Sequence, residues 1–462
     1  MIKREISPVL VLTSAIVASS LWLWVRAVNA LDREADVYMR RQVTDSHFSG
    51  VALISKAGRV QFLKAYGYAN EEWRVPNTVR TKFRIGSLTK QFTATLVMRL
   101  QQEGKLHISD PVCHYFDPCP KAWGSLKVQH LLTHTSGIEN FTDDPGFATA
   151  KRKPLTQAEL IENLSGRTLA FPPGERFQYS NSNYYLLGMI IEKVTGRRYE
   201  QILQSEILQP LGLADTGYDH PETVMPERAG GYVVLPNGTM RAADFVDMSW
   251  AFSAGALYST AVDLEKWNEA LVSKKVLPAA ALQTMWTPFK GGYGYGWEIP
   301  ARSPLTLNRR MIMHSGSIDG FVSCMDRFLD SNVTIVVLSN HVMLENACTM
   351  AIELAAIAFG DNDQLTRPSA EIKLDSVVLR RYVGRYRFAP DVIIQVALRE
   401  DQLFASTDRL PPIQMRAESE RQFFFKELEW RIEFTIDLRD QVTGIDLYGP
   451  DGVRRFAPRI VN

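Results

Sequence analysis

Ser87 and Lys90, in the stretch FRIGSLTK, lie three residues apart at the start of a run with helical spacing. Leu88, Phe92, Leu96 and Leu100 recur every four residues, Val97 widens the stripe and Gly104 stops it, so Ser87 is expected to open an amphipathic helix. At i and i+3 the hydroxyl and the amine share one side of the first turn. A cation placed there opposes the helix dipole, and partial burial adds to the penalty, so the lysine sheds its proton readily. A neutral amine beside a serine is a general base beside a nucleophile, the pairing that acyl transfer through a covalent intermediate needs. The S-x-x-K spacing alone is expected about once by chance in a chain of this length, where it marks only an N-cap serine and a solvated lysine.

Two further blocks give it companions. PPGERFQYSNSNYYLLGMI places Tyr179 and Asn181 in a Y-x-N arrangement just before a second helical pattern, and MHSGSIDGF places His314, Ser315 and Gly316 where a strand should run along the edge of a site. Each has a plainer counterpart: a loop entering a helix for the first, a strand-end histidine for the second. HTSG at His134 to Gly137 is expected to be a structural turn, because no base is spaced to serve its serine. His130 and His134 have the i, i+4 spacing of a helical metal site, but no acid lies between them and no third ligand is evident, so packing is expected and no metal. No G-x-S-x-G occurs, which excludes the usual nucleophile elbow of α/β-hydrolases.

The elements that must position these residues fall into zones. GVALISKAGRVQFLKAYGYAN (Gly50 to Asn70) is expected to form a hairpin turning near Ala57 and Gly58, and FVSCMDRFLDSNVTIVVLSN (Phe321 to Asn340) two strands around Asp330 to Asn332. Between them lie helical patterns, and Leu344 to Phe359 is expected as a final apolar helix. Strands at both ends with helices between are therefore expected over residues 31–360. Residues 361–375 have little pattern and read as a linker. Residues 376–462 hold short β-rich runs separated by turn residues, a separate all-β barrel-like module with no catalytic constellation.

Composition narrows the class. The 462 residues are 45% hydrophobic and 22% charged, a globular balance, and 52 basic against 51 acidic residues leave a net charge of +1. No field favours a polyanion, so nucleic acid is not an expected partner. Lys3 and Arg4 precede an uncharged run, Ile6 to Val25, and VNA at Val28 to Ala30 offers a cleavage site, so residues 1–30 are expected to be a signal peptide or, uncleaved, a membrane anchor through residues 6–25. The protein is then periplasmic or secreted. There Cys113 and Cys119 have the spacing of a short disulfide loop, while Cys324 and Cys348 sit in apolar contexts as expected buried thiols.

The three boxes, in this order, resemble the serine β-lactamase and penicillin-binding family, in its class C β-lactamase, D-Ala-D-Ala carboxypeptidase and D-aminopeptidase branch. LLTHTSGI (Leu131 to Ile138), the segment Pro173 to Gly196, AGALYSTAVDLEKW (Ala254 to Trp267) and SGSIDGFVS (Ser315 to Ser323) are similar as well, so the resemblance spans roughly Asp45 to Gly360. It implies an α+β fold, an antiparallel sheet flanked by helices plus an all-helical lobe, with the site in the cleft between, and a lipocalin-like C-terminal module. It also implies roles: Ser87 as acylated nucleophile, Lys90 as base or co-base, Tyr179 as proton shuttle to the leaving group, Asn181 as donor to the substrate amide. The backbone N–H groups of Ser87 and Ser317 would hold the oxyanion, beside Ser315 and Gly316. No cofactor is implied, and the partner is a small-molecule or peptide substrate. His314 departs from the lysine that most β-lactamases of the superfamily carry, and matches the H-x-G form of D-aminopeptidases and some carboxypeptidases. An exported serine hydrolase of D-amino-acid-containing peptides is the leading expectation. Hydrolysis of β-lactams, hydrolysis of small esters, and a non-catalytic sensor or scaffold are its rivals.

Overall fold

The computed structural model describes residues 30–235, 238–303, 306–342, 347–361, 372–389, 392–408, 410–417, 419–425, 430–436, 441–448 and 454–460. A helix over 30–45 (α1) leads into strands β1 (Gly50–Lys56) and β2 (Arg59–Tyr66). Helices α2 (Thr89–Gln102), α3 (Asn181–Thr195) and α4 (Ala261–Val272) follow, then β3 (Met311–Ile318), β4 (Phe321–Phe328), β5 (Val333–Ser339) and helix α5 (Ala347–Phe359). The strands form one antiparallel sheet in the order β3-β4-β5-β1-β2, so its two halves come from the two ends of this region. The first hairpin turns where expected. Ala57 and Gly58 both take positive φ, the two-residue turn whose twist suits a hairpin.

Nearly every residue of β1 and β5 is buried, because both faces of the sheet are covered. On one face α1 and α5 pack Met39, Met350 and Leu354 against Ile54, Ile335 and Val337. On the other, α4 lies against β1 and β5 and α3 packs on α2, so that Phe92, Leu96, Leu187 and Trp267 share one core with Leu53, Val336 and Leu338. This is the flanked sheet with a helical lobe that the family resemblance implies.

Two expectations need correction here. Ser87 does not open an amphipathic helix: it sits in a 3-10 turn (Gly86–Leu88), and α2, starting at Thr89, is buried almost all round. Several polar residues of α2 make hydrogen bonds inside the core. Trp267 Nε1 donates to Gln91 Oε1 at 3.1 Å, and Thr93 Oγ1 donates to the Ser253 carbonyl at 2.6 Å. Cys324 and Cys348 are not thiols but a disulfide that ties β4 to α5, since both face the layer between sheet and helix. Cys113 and Cys119 form the second disulfide, as their spacing suggests.

The C-terminal module starts with a short helix, Ser376–Arg380, that the all-β expectation omits; Asp375 caps it by accepting from Val377 N. Eight strands follow: β6 (Gly384–Ala389), β7 (Val392–Arg399), β8 (Gln402–Ser406), β9 (Ile413–Ala417), β10 (Gln422–Phe425), β11 (Arg431–Ile436), β12 (Val442–Tyr448) and β13 (Arg454–Pro458). Each pairs antiparallel with the next. Ile460 N donates to Arg385 O at 2.8 Å beside a bridge between Tyr386 and Arg459, so the end of the last strand returns to the first and the barrel is nearly closed. Of the expected linker, residues 362–371 lie outside the described residues, and Ile372 N already donates to Ala417 O of the barrel. The expected export segment lies outside them too, save residue 30. Among the described residues no helix is long and apolar enough to cross a membrane.

Trp267 stacks on Phe92 at 4.3 Å between ring centroids and is fully buried, so it fixes α2 against the sheet. Trp267→Ala is expected to cost about 3–5 kcal/mol, measured by denaturant unfolding; a loss below ~1 kcal/mol would show that α2 is held by other contacts.

Candidate active site

Two glycines let the turn carrying Ser87 press against the edge strand β3. Gly86 has φ +49°, and a Cβ there would stand 2.8 Å from Ser317 N; a Cβ on Gly316 would meet the Ile85 carbonyl at 2.1 Å. Only glycine at both positions permits this approach. Ser323 Oγ on β4 donates to the same Ile85 carbonyl at 2.9 Å, which fixes the turn to the hairpin. The main chain of Ser317 therefore runs against that of the nucleophile turn, and Ser315 to Ser317 line the sheet side of the cleft.

Ser87, half-buried, is held from two sides. Lys90 Nζ and Tyr179 OH each lie 2.8 Å from Ser87 Oγ, and the phenol donates to it. Lys90 Nζ has two further partners, Asn181 Oδ1 and the Ala254 carbonyl, both at 2.9 Å. The amine is wholly buried, and this desolvation holds its pKa well below the ordinary lysine range; the nearby charge of Glu298 opposes the shift more weakly. Burial acts oppositely on Tyr179, raising its pKa and keeping the phenol protonated. Asn181, the first residue of α3, is oriented by Asn140, whose Oδ1 accepts from Asn181 N, and by Thr142, whose Oγ1 accepts from Asn181 Nδ2. A hydroxyl between an amine that burial makes readier to shed its proton and a phenol that burial keeps protonated has a base and an acid within one hydrogen bond.

His314 lies near Tyr179, with ring centroids 6.4 Å apart, but its nitrogens are engaged elsewhere. Nδ1 is 2.6 Å from the Ser315 carbonyl, so Nδ1 carries the proton and Nε2 accepts from Tyr293 OH at 2.8 Å. Burial, with the Lys90 charge adding to it, pushes its pKa down to about 3, so the imidazole is neutral at physiological pH. Tyr293 was not singled out from the sequence; GGYGYGW carries no spacing signal for a group that acts through another side chain.

His134 was weighed only as a metal ligand. Its Nδ1 accepts from Ser180 N at 3.2 Å, and its ring lies 4.3 Å from the Tyr179 ring. His130 Nδ1 instead accepts from Lys127 N, since helix Val128–Leu132 ends between the two histidines and they do not share a face. His134 thus forms the wall behind Tyr179. Ser136 donates to Asn183 Oδ1 at 2.6 Å and accepts from Ile138 N, the structural turn expected of HTSG.

This nucleophile turn, buried lysine and tyrosine, set between an antiparallel sheet and a helical lobe, define the serine hydrolases of β-lactamase/transpeptidase type. The family model described as beta-lactamase matches residues 35–358, and the chain belongs to that family. A domain of unknown function matches residues 369–458. The chain is 28% identical over 441 residues to a penicillin-binding protein of Bacillus subtilis (strain 168), covering 89% of this chain and 95% of that one. Among solved structures it is similar to an octameric penicillin-binding protein homologue from Pyrococcus abyssi, with a TM-score of 0.66, 26% identity, and coverage of 92% and 99%. It is also similar to a D-stereospecific amidohydrolase from Streptomyces sp., with a TM-score of 0.58, 26% identity, and coverage of 72% and 98%.

Lys90→Ala removes the amine from Ser87 and leaves the Ala254 carbonyl without its donor. Acylation by fluorescent penicillin is expected to fall about 10²–10⁴-fold while near-ultraviolet circular dichroism stays native. Acylation within a few-fold of wild type would remove Lys90 from the chemistry.

Proposed function

We propose that the protein is an exported hydrolase that acylates Ser87 from amide bonds of D-amino-acid-containing peptides or amides, then releases the acyl group to water. The observation that carries it is the pair of 2.8 Å separations of Ser87 Oγ from Lys90 Nζ and Tyr179 OH. As a free amine, Lys90 donates two N–H bonds, to Asn181 and Ala254, and turns its lone pair to the serine. When the Ser87 proton arrives, the ammonium has three N–H groups and three acceptors, so the cradle fits the state after transfer. Ser87 Oγ bonds to the carbonyl carbon, and the oxyanion lies between the N–H groups of Ser87 and Ser317. Tyr179, kept protonated by burial, gives its proton to the departing nitrogen as the C–N bond breaks and regains one from Lys90. Water then attacks the ester, returning the proton to Ser87. In this scheme Lys90, not Tyr179, is the first base.

Two observations support the substrate class. A buried neutral imidazole at position 314 offers no charge to a substrate carboxylate, which favours amides over carboxylate-bearing peptides and β-lactams. One similar solved structure is of a D-stereospecific amidohydrolase. Export is supported by the pairing of all four cysteines in two disulfides, a usage of oxidising compartments.

The pH profile has a definite sign. Lys90 acts as the free amine, so acylation rises with pH through its depressed pKa. His314, deprotonated above about 3, adds no falling limb between about pH 5 and 8. A single-turnover acylation rate that drops across that window in wild type, but not in His314→Gln, would show that the imidazolium is required.

A turnover panel of D-alanyl amide, nitrocefin and p-nitrophenyl ester tests the substrate class. The highest kcat/KM is expected for the D-alanyl amide, with fluorescent penicillin labelling wild type but not Ser87→Ala. Nitrocefin turned over faster than the amide would assign a β-lactamase, preferential ester turnover an esterase, and no label from any acyl donor a non-catalytic scaffold.

A further inference from the structure

The interior of the C-terminal barrel is filled at one side and empty at the other. Tyr382 stacks on Phe434 at 4.1 Å, Phe423 meets the same ring edge-on at 5.4 Å, and Tyr386 OH donates to the Tyr382 carbonyl, so this aromatic group closes part of the core. Beyond it lies a cavity of about 240 Å³, to which six consecutive strands each contribute a side chain: Ile394, Ala405, Ile413, Phe425, Ile432 and Leu447. Phe388 and Trp430, edge to face at 6.0 Å, also line it, and Leu410, 47% exposed, stands on its rim. Among the described residues no charged side chain lines it, and the hydroxyl-bearing side chains that do are Ser406 and Thr407. Thr407 Oγ1 accepts from the backbone N–H of that same Leu410.

A well-packed domain does not keep a void of this size, whereas an eight-stranded barrel is just wide enough either to be filled by its own side chains or to hold one small ligand. The chemistry of the lining selects the occupant. With no charge among the described lining residues and only two hydroxyls, one of them already bonded to the Leu410 N–H, a buried polar ligand would lose most of its hydration without compensation. The volume falls below the range of roughly 300–1,000 Å³ that encloses drug-sized molecules, so the occupant is slender. We infer that the barrel binds a single alkyl or acyl chain, inserted past Leu410 with its polar head left outside. The site is separate from Ser87 and does not rest on the hydrolase proposal.

Two sources supply such a chain, a free fatty acyl molecule and a membrane lipid. Calorimetric titration of the full chain with decanoate should show saturable one-to-one uptake. Ala405→Phe and Leu447→Trp each place a ring in the cavity and should weaken uptake roughly tenfold or more, the equivalent of about two buried methylenes. Thermal melting and penicillin labelling of Ser87 should stay as in wild type, and the second variant serves if the first fails to fold. Flotation with phosphatidylcholine vesicles separates the sources: flotation lost in the filled variants assigns a membrane acyl chain, and decanoate uptake without flotation assigns a free one. Neither uptake nor flotation by wild type, or uptake undiminished in a filled variant that melts as wild type, overturns the inference.

Discussion

The amine of Lys90 has lost its water, and the site is organised around that loss. Desolvation is the largest influence on its protonation, and it exists only because four segments close over one side chain. The 3-10 turn brings Ser87, the start of α3 brings Asn181, the short helix Phe252–Gly255 brings the Ala254 carbonyl, and Tyr179 and Tyr184 lay their rings 4.9 and 5.6 Å from the nitrogen. A buried ammonium without partners would be expensive; a buried amine with acceptors already in place is a base waiting for a proton. The same packing that stabilises the helical lobe therefore sets the reactivity of the serine.

That closure depends on long-range topology. β3, which supplies His314 through Ser317, pairs with β4, and the order β3-β4-β5-β1-β2 places the chain's late strands beside its first hairpin. The edge of the cleft is thus complete only when residues more than two hundred positions apart have met, as Ser323 and Ile85 do through one hydrogen bond. The C-terminal barrel is built the opposite way, each strand pairing with its sequence neighbour. Local pairing of that kind forms with little loop-closure cost.

This contrast explains what the sequence disclosed. Ser87 with Lys90, and Tyr179 with Asn181, were legible as candidates because the spacing within each pair is local, and the hairpins were legible from β-rich runs broken by turn residues. The four-residue repeat of α2 marked one stripe of a helix that is in fact surrounded. Gln91 and Thr93 gave no sign of burial, because Trp267 and Ser253, which bond to Gln91 Oε1 and Thr93 Oγ1, are distant in sequence. Cys324 and Cys348 each sat among apolar residues, which describes a buried thiol and half of a buried disulfide equally well. Tyr293 on His314, and His134 behind Tyr179, are through-space relations that no spacing records.

The charge balance of the pocket follows from those unrecorded contacts. Burial and then the Lys90 charge depress the protonation of His314, and by the same repulsion an imidazolium in this buried volume would oppose the ammonium that forms when Ser87 gives up its proton. Tyr293 donates to Nε2 and so holds the imidazole as an acceptor there, a role only the neutral ring can fill. Glu298, which lies 3.8 Å from His314 Nδ1, has the opposite influence and favours the charged form of Lys90. The pocket thus withholds a second positive charge while placing one carboxylate where it supports the ammonium once the proton has moved. A lysine at position 314 would reverse that balance, since its cation would compete with Lys90 for the same carboxylate. The histidine box is therefore coupled electrostatically to Lys90.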